Sequence, residues 1–293
     1  MKSFLVFIAK ILLLLLLVAV ALDFVYTTVF AASENRNKVE KVINSKPQNY
    51  DVIILGTSRA NNHFVPELFE QQGLKTFNYG MSGSHLFEAS LLLKLMVERG
   101  WDIKQILLET DLNLSNEKRD PGTSAWMMPF LHRSETIREH YYKEPDFNQL
   151  YYIPFYRYIE FDNRIGFRAL WKTATQQPTV FLKNQGYYPL PNTSKGNMKN
   201  NIKALRPLRN RYYEEIKDIC RKNNIQLIAV TTPMCENTEG MEYFSKVKQL
   251  YPEIREYEQA VQGDEYFSSC GHLNDRGARK FTEIIINDLL KKK

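Results

Sequence analysis

Cysteine is scarce in this sequence, whose 293 residues include three: Cys220, Cys235 and Cys270. Their spacing matches none of the Cys and His patterns that bind zinc, and no other cluster of ligand residues suggests a metal. We therefore expect neither a metal nor a cofactor. Three cysteines allow at most one intramolecular disulfide. Cys235 and Cys270 lie in two loops that the predicted fold brings together, and an oxidising compartment would permit a bridge there.

A concentrated basic surface is also missing. The formal net charge is +6, but Lys and Arg are distributed along the chain with Asp and Glu between them. Nucleic-acid-binding proteins usually gather their basic residues on one face, so this distribution argues against nucleic acid as a partner. Hydrophobic residues make up 44% of the chain, which is enough for the core of one domain of about 200–250 residues.

A long hydrophobic run occurs at the N-terminus. Apolar residues fill 4–9, 11–22 and most of 24–32, and only Lys10 and Asp23 interrupt them. A membrane-spanning helix needs about 20 such residues, so either 4–22 or 11–30 would serve. The alternative is a cleaved signal peptide, with a small-x-small cleavage site at 19–21. We favour the uncleaved anchor because the apolar character continues past that site.

The predicted organisation is therefore a membrane anchor or signal peptide at 1–32, a polar juxtamembrane linker or short helix at 33–49, and a folded domain at 50–293. Basic residues flank the anchor on both sides, so the positive-inside count does not place the domain on either side of the membrane. We expect a single-pass membrane protein with its domain on the extracytoplasmic side.

Short apolar segments and helical patterns alternate in the folded domain. Strands are predicted at 51–56, 75–79, 103–110 and 225–232, with a weak fifth at 266–267, and helices at 63–72, 84–99, after Pro207, and at 275–291. This alternation predicts an α/β fold with a central parallel sheet and helices on both faces. Binding and catalytic groups are then expected at the carboxyl ends of the strands.

The region from about 114 to 200 breaks the alternation. It is rich in Tyr, Phe, Asn and Pro and shows no clear period. We interpret it as an irregular insertion with short helices, packed over the edge of the sheet. Such insertions form lids and substrate walls, or simply pack as a large loop.

Two side chains stand where a nucleophile and its base would be placed. Ser58 follows the first strand directly before a helix, where its hydroxyl is either a nucleophile near the helix dipole or an ordinary helix cap. His272 lies in a polar loop before the last helix, on the side of the sheet where Ser58 is expected. A nucleophilic serine needs a base within hydrogen-bond reach, and His272 could be that base.

Two further strand ends offer donors for a developing oxyanion. Gly83 lies in the segment 78–84 after the second strand, and Asn113 lies in the segment 109–113 after the third. A glycine backbone N–H and an asparagine amide both suit this task. The same residue types also occur in ordinary tight turns.

Together, these four segments resemble the blocks of the SGNH (GDSL-like) hydrolase superfamily. The resemblance covers about 50–113 and 205–293. Ser58 in Gly-Thr-Ser-Arg resembles the nucleophile, Gly83 and Asn113 resemble the oxyanion donors, and His272 in His-Leu-Asn-x-x-Gly-Ala resembles the catalytic histidine. The resemblance implies a three-layer, flavodoxin-like SGNH fold.

One position departs from the family pattern, because Ser269 stands where an aspartate is usual, three residues before His272. The third member of such a triad orients the imidazole and stabilises its charge. Asp264, Asp275 and Asp111 are alternatives for this role, and so is a backbone carbonyl.

The resemblance implies a membrane-anchored serine esterase or O-acyltransferase that acts on acyl esters of envelope polysaccharide or another glycan. The chain resembles the membrane-anchored branch of this superfamily that carries out D-alanyl transfer and polysaccharide O-acetylation. This resemblance implies a membrane-bound O-acyltransferase as a partner. The competing hypothesis is a catalytically inactive SGNH-like module that binds glycan or such a partner, and Ser269 favours it.

Overall fold

The computed structural model describes residues 1–33, 36–193 and 196–290. Its α-helices are α1 (Lys2–Ala31), α2 (Lys38–Asn44), α3 (Ser58–His63), α4 (Pro66–Glu70), α5 (Leu86–Glu98), α6 (Pro121–Met127), α7 (Glu135–Tyr141), α8 (Phe147–Tyr152), α9 (Tyr156–Glu160), α10 (Asp162–Ile165), α11 (Phe167–Ala174), α12 (Arg211–Lys222), α13 (Glu242–Leu250) and α14 (Asp275–Leu290). Its strands are β1 (Asn49–Leu55), β2 (Thr76–Asn78), β3 (Asp102–Glu109), β4 (Asn200–Asn201), β5 (Gln226–Val230), β6 (Thr238–Glu239), β7 (Phe267–Ser269) and β8 (His272–Leu273). Short 3-10 helices cover Asp111–Ser115, Met128–Phe130, Lys183–Gly186 and Asp264–Tyr266.

A parallel sheet forms the centre of the domain, with strands in the order β2-β1-β3-β5. Ile53 lies opposite Phe77 on one side and Ile106 on the other, so β1 is hydrogen-bonded along both edges. The buried parts of these strands are apolar runs, at 52–55 in β1, 106–108 in β3 and 228–230 in β5, as is usual for parallel strands covered on both faces. The predicted α/β fold with a central parallel sheet is confirmed.

Alternate residues of the strands enter two separate hydrophobic cores, because successive side chains point to opposite faces of a sheet. Ile53 and Leu55 belong to the core that contains α5 and α12. Val52 and Ile54 belong to the core that contains residues of α3, α4 and α14. Helices therefore cover both faces of the sheet.

Some predicted boundaries were wrong. The helix predicted at 63–72 is only α4, which begins at Pro66 because Phe64 and Val65 are extended, and α3 precedes it as a separate helix. Likewise, Pro207 does not begin a helix. α12 begins at Arg211, where the Asn210 side chain caps the first turn.

The predicted fifth strand was also placed wrongly. β7 pairs with β8 in a small antiparallel hairpin and does not join the central sheet. The position beside β5 is taken instead by the chain at Arg255, which forms an isolated parallel bridge with Val230. Arg255 N donates to Ala229 O at 2.9 Å, and Thr231 N donates to Arg255 O at 2.9 Å. This extension of the sheet is too short to leave a strand pattern in the sequence.

The insertion contains helices α6 to α11, and each of them has eight residues or fewer. Large parts of it are buried, including Leu131, Tyr141 and Tyr158. The region predicted as a linker or short helix contains α2, whose Val39 and Val42 are fully buried in the core. Among the described residues, α1 is the one helix long and apolar enough to cross a membrane.

Candidate active site

Ser58 is the first residue of α3, at the carboxyl end of β1. The chain turns sharply at Gly56, which has a φ of +138°. A Cβ there would lie 2.7 Å from the Glu109 Oε2 atom, so only glycine fits. The helix is capped by Thr57, whose side chain accepts a hydrogen bond from the Arg59 N–H. The Ser58 hydroxyl is therefore not occupied by capping.

The Ser58 hydroxyl faces the imidazole of His272. The distance from Ser58 Oγ to His272 Nε2 is 2.8 Å, which is a normal hydrogen bond. The two residues are 214 positions apart in the chain. His272 reaches Ser58 because it begins β8, next to α3 and just before α14. In the tautomer with an unprotonated Nε2, His272 could accept the serine proton.

Ser269 lies on the other side of the imidazole. Its Oγ is 3.3 Å from His272 Nδ1, and its side chain is exposed to solvent. β7 and β8 form a hairpin in which Ser269 is paired with His272, so the hairpin itself brings the two together. The group that could orient the imidazole is thus a neutral hydroxyl rather than a carboxylate.

The environment of His272 disfavours its charged form. Burial and, to a lesser extent, the positive charge of Arg59 together lower the pKa of His272 to about 4. Arg59 is itself buried and lies under the loop before His272, because a Cβ on Gly271 would be 2.8 Å from Arg59 Nη2. At neutral pH the imidazole is therefore unprotonated, as a general base requires, but it is a weak base.

None of the three predicted acids is hydrogen-bonded to His272 within the described ranges. Asp111 pairs with Arg59, at 3.0 Å between Oδ2 and Nη1, and also accepts a hydrogen bond from the Thr232 N–H. Asp275 accepts a hydrogen bond from the Tyr187 hydroxyl at 2.9 Å. Asp264 lies in the 3-10 turn before β7. Asp111 acts on the site through Arg59, whose position it fixes.

The segment that contains Gly83 is fixed against the turn before Ser58. The Met81 N–H and the Ser84 hydroxyl both donate to Gly56 O, at 3.1 and 3.0 Å. Gly83 has a φ of +91°, and a Cβ there would lie 3.2 Å from the Asp120 carboxylate. The loop that carries Gly83 is thus placed beside the turn that precedes Ser58.

Asn113 is held by two side chains that the sequence reasoning did not single out. Its Oδ1 is 2.8 Å from His85 Nδ1, and its Nδ2 is 3.4 Å from Glu109 Oε1. His85 follows Gly83 by two residues, so Asn113 touches the loop that carries Gly83. The hydrogen bond from His85 orients the amide group, since Oδ1 then acts as the acceptor and Nδ2 remains a donor.

Glu109 connects this region to the turn before Ser58. Its Oε2 accepts hydrogen bonds from Thr57 N at 2.8 Å and Thr57 Oγ1 at 2.7 Å. Burial and the neighbouring Asp111 raise the pKa of Glu109 to about 7. The sequence analysis did not identify Glu109. It could have been found from its position at the end of an apolar strand, because a buried carboxylate needs hydrogen-bond partners.

Two more buried side chains support the site and were also missed. His63 Nε2 accepts a hydrogen bond from the Leu273 N–H at 3.0 Å, so it holds the residue after His272. Lys38 Nζ donates to Asn61 Oδ1, Gly80 O and Gly186 O, at 2.8, 2.5 and 2.7 Å. Burial lowers the pKa of both side chains well below their usual values. Neither residue lies in a motif that the sequence could have revealed.

A disulfide fixes the loop before His272. Cys235 and Cys270 are bonded, with their Cα atoms 5.0 Å apart. Cys270 is two residues from His272, and Cys235 follows β5, so the bond ties the β7–β8 hairpin to the end of the central sheet. Cys220 is buried and free, consistent with a core role.

No protein-family model matches the chain, and no curated protein matches it. One similar solved structure is that of a "putative platelet activating factor" from Streptococcus pneumonia. It is 12% identical, the match covers 97% of this chain and 99% of that chain, and the TM-score is 0.37. A likeness this distant identifies neither a fold family nor an activity. Function is therefore inferred from the side chains of the site.

Proposed function

We propose that the chain is a membrane-anchored serine esterase or O-acyltransferase, with Ser58 as nucleophile and His272 as general base. The observation that carries this proposal is the hydrogen bond of 2.8 Å between Ser58 Oγ and His272 Nε2. A serine at a strand-to-helix turn whose hydroxyl is bonded to an imidazole is the arrangement that activates a nucleophile.

The reaction follows from these positions. His272 Nε2 takes the proton of the Ser58 hydroxyl while Oγ bonds to the ester carbonyl carbon. The Ser58 N–H, the Gly83 N–H and the Asn113 amide stabilise the oxyanion that forms. The ester C–O bond then breaks, and the leaving alcohol takes the proton from His272. Water or a sugar hydroxyl releases the acyl group from Ser58 by the same steps in reverse.

The strand order and the resemblance to SGNH hydrolases support this assignment. The order β2-β1-β3-β5 corresponds to the first four positions of the flavodoxin-like order. Ser58, the Gly83 loop and Asn113 follow β1, β2 and β3, as the family pattern requires. His272 enters from a hairpin outside the sheet. We infer an SGNH-like domain from this combination.

An extracytoplasmic location and a glycan ester as substrate belong to the same proposal. The disulfide between Cys235 and Cys270 suits an oxidising compartment, where such bonds persist. The apolar helix α1 suits a membrane anchor. Acyl esters of envelope polysaccharide are exposed in that compartment, and a membrane-bound O-acyltransferase would supply the acyl group.

The alternative is an inactive module that binds glycan or the acyltransferase. The exposed hydroxyl of Ser269 in place of a carboxylate favours it, as does the low basicity of His272. Loss of the third triad member usually leaves residual catalysis rather than none, so we place the enzyme first.

The test is labelling of the full-length, detergent-solubilised protein with a fluorophosphonate probe. We expect the wild type to be labelled, and Ser58→Ala and His272→Ala to lose the label. Ser245→Ala is the matched control, because Ser245 is an exposed serine on α13 and should not affect labelling. A wild type that is folded by circular dichroism but not labelled would favour the inactive module.

A further inference from the structure

The insertion presents exposed apolar side chains to its surroundings. They lie on α8, the turn after it and α11, and are Tyr152, Ile153, Phe167 and Trp171. We call this set the apolar rim. Single exposed apolar residues are ordinary, but several large ones in one insertion indicate a contact surface. These residues have no role in the proposed catalysis.

Helix α11 shows the arrangement most clearly. Phe167 and Trp171 are one turn apart on the same face, and 69% and 59% of their surfaces are exposed. Arg168 and Lys172 form the neighbouring stripe, since residues four apart share a face. The remaining face holds Thr173, which is buried in the domain. A short helix with an exposed aromatic stripe beside a basic stripe is typical of helices that lie in a membrane interface.

The rim lies next to the helix that could span the membrane. α1 packs against α11 and against the 3-10 turn at Met128–Phe130. One stripe of α1 faces the domain, from the partly buried Ala19 to Asp23, Thr27 and Phe30. The apolar residues that precede Ala19 are exposed. At 1.5 Å per residue, the segment 4–22 covers about 28 Å, close to the thickness of a bilayer core.

Contacts of Phe155 and α9 with α1 show how this part of the insertion is oriented along α1. The Phe155 N–H donates to Asp23 Oδ2 at 2.8 Å, and Arg157 Nη2 donates to Asp23 Oδ1 at 2.7 Å. Further along α9, Tyr158 reaches Thr27 and stacks on Phe30. Going forward along α9 thus leads away from the membrane-spanning segment.

Tyr152 and Ile153 precede Phe155 by three and two residues, and both are exposed. They therefore lie in the turn next to Phe155, whose N–H is bonded to Asp23 at the end of the apolar segment of α1. Tyrosine and tryptophan are enriched at this level of membrane proteins because their rings are partly apolar and partly polar.

We propose that the apolar rim lies in the interface of the bilayer that α1 crosses, with Arg168 and Lys172 directed at anionic lipid headgroups. The partner of this surface is lipid. The proposal rests on α1 being retained as a membrane span and is independent of catalysis by Ser58. It also gives the insertion a role other than a lid or substrate wall.

The test reads the fluorescence of Trp171 in the full-length chain. The sequence has three tryptophans, so Trp101→Phe with Trp126→Phe leaves Trp171 as the reporter. The protein is reconstituted in phosphatidylcholine vesicles containing phosphatidylglycerol, with and without acyl chains brominated near the headgroup. The control is Trp126→Phe with Trp171→Phe, which leaves the buried Trp101.

We expect loss of Trp171 fluorescence in brominated vesicles, protection of Trp171 from acrylamide, and no effect of bromine on Trp101. Access of acrylamide to Trp171 without quenching by lipid would place the rim in water and overturn the proposal. Protection from both quenchers would mean a protein contact, such as a second copy, and would also overturn it. Fluorophosphonate labelling is measured separately, so failure of catalysis is not confused with failure of membrane contact.

A second measurement avoids substitutions that could disturb folding. Hydroxyl-radical footprinting of the unaltered chain in lipid nanodiscs compares Phe167 and Trp171 with Tyr188, an exposed residue next to α3. We expect oxidation of Tyr188 and protection of the other two. Equal oxidation of all three would contradict the proposal.

Discussion

Replacing Ser269 by aspartate would give His272 the carboxylate that it lacks. Ser269 Oγ is already 3.3 Å from Nδ1, so the new side chain needs little movement to reach the ring. A negative charge there would stabilise the imidazolium that forms as Ser58 loses its proton. We expect Ser269→Asp to raise both the pKa of His272 and the rate of Ser58 labelling.

The size of the effect follows from distance and exposure. Two unit charges about 4 Å apart interact by about 1 kcal/mol in water and about 4 kcal/mol at an effective dielectric constant of 20. Ser269 is exposed, so the lower end applies, and we take about 1–2 kcal/mol. This corresponds to a rise of about one unit in the pKa and about 5- to 30-fold in the rate constant.

The assay is the second-order rate constant of fluorophosphonate labelling, measured as a function of pH. Two variants control for other effects. Ser269→Asn adds a polar group of similar size without charge, and Ser268→Asp adds the same charge on the opposite face of β7. Equal acceleration by Ser268→Asp, or an unchanged pH dependence in Ser269→Asp, would refute the reasoning.

Three further predictions concern groups around the site. Because His272 must be unprotonated and has a pKa of about 4, the labelling rate should stay constant from about pH 8 to 5.5 and fall as the pH approaches 4. The free energy of unfolding should also fall as the pH drops from about 6.5 to 4, because the unfolded chain binds a proton at His272 before the folded chain does. A pH profile of labelling with its midpoint near 6.5 would contradict the low pKa of His272. Lys38→Met leaves three buried oxygens without their donor, so chemical denaturation should show a loss of about 1–3 kcal/mol, and an unchanged stability would argue against these hydrogen bonds. Cys235 and Cys270 are 35 residues apart, so reduction of their disulfide should lower the free energy of unfolding by about 3–4 kcal/mol and slow labelling. The Cys235→Ser/Cys270→Ser variant, measured under oxidising conditions, should show the same two changes.

The parallel sheet could be predicted because its strands are buried on both faces. The runs at 52–55, 106–108 and 228–230 are apolar and buried, and a glycine, an acid or a proline follows within three residues. Such runs carry a strong signal, since every residue contacts a core. The chain at Arg255 joins the sheet through one bridge and carries no such pattern.

The site could be predicted only in part. Ser58 and His272 stand at strand and loop ends with recognisable neighbours, and the structure brings them together. The groups that orient them were hidden, because their partners are distant in the chain. Lys38 acts from the segment before the domain, and His85 reaches Asn113 from the start of α5. Hydrogen bonds of this kind depend on three-dimensional packing rather than on local sequence pattern.

The packing of α1 onto α9 limits where the proposed chemistry could take place. The ion pair of Asp23 with Arg157 and the burial of Tyr26 and Phe30 join the end of α1 directly to the domain. A domain on a flexible tether would sweep a hemisphere of space, whereas this one, with α1 as the proposed membrane span, would stay at a fixed height and tilt. Ester groups far out on a long polymer would then be beyond its reach, and only those carried close to the lipid surface could meet Ser58. Growth or transport of the polymer, rather than motion of the protein, would decide which positions along the polymer are modified.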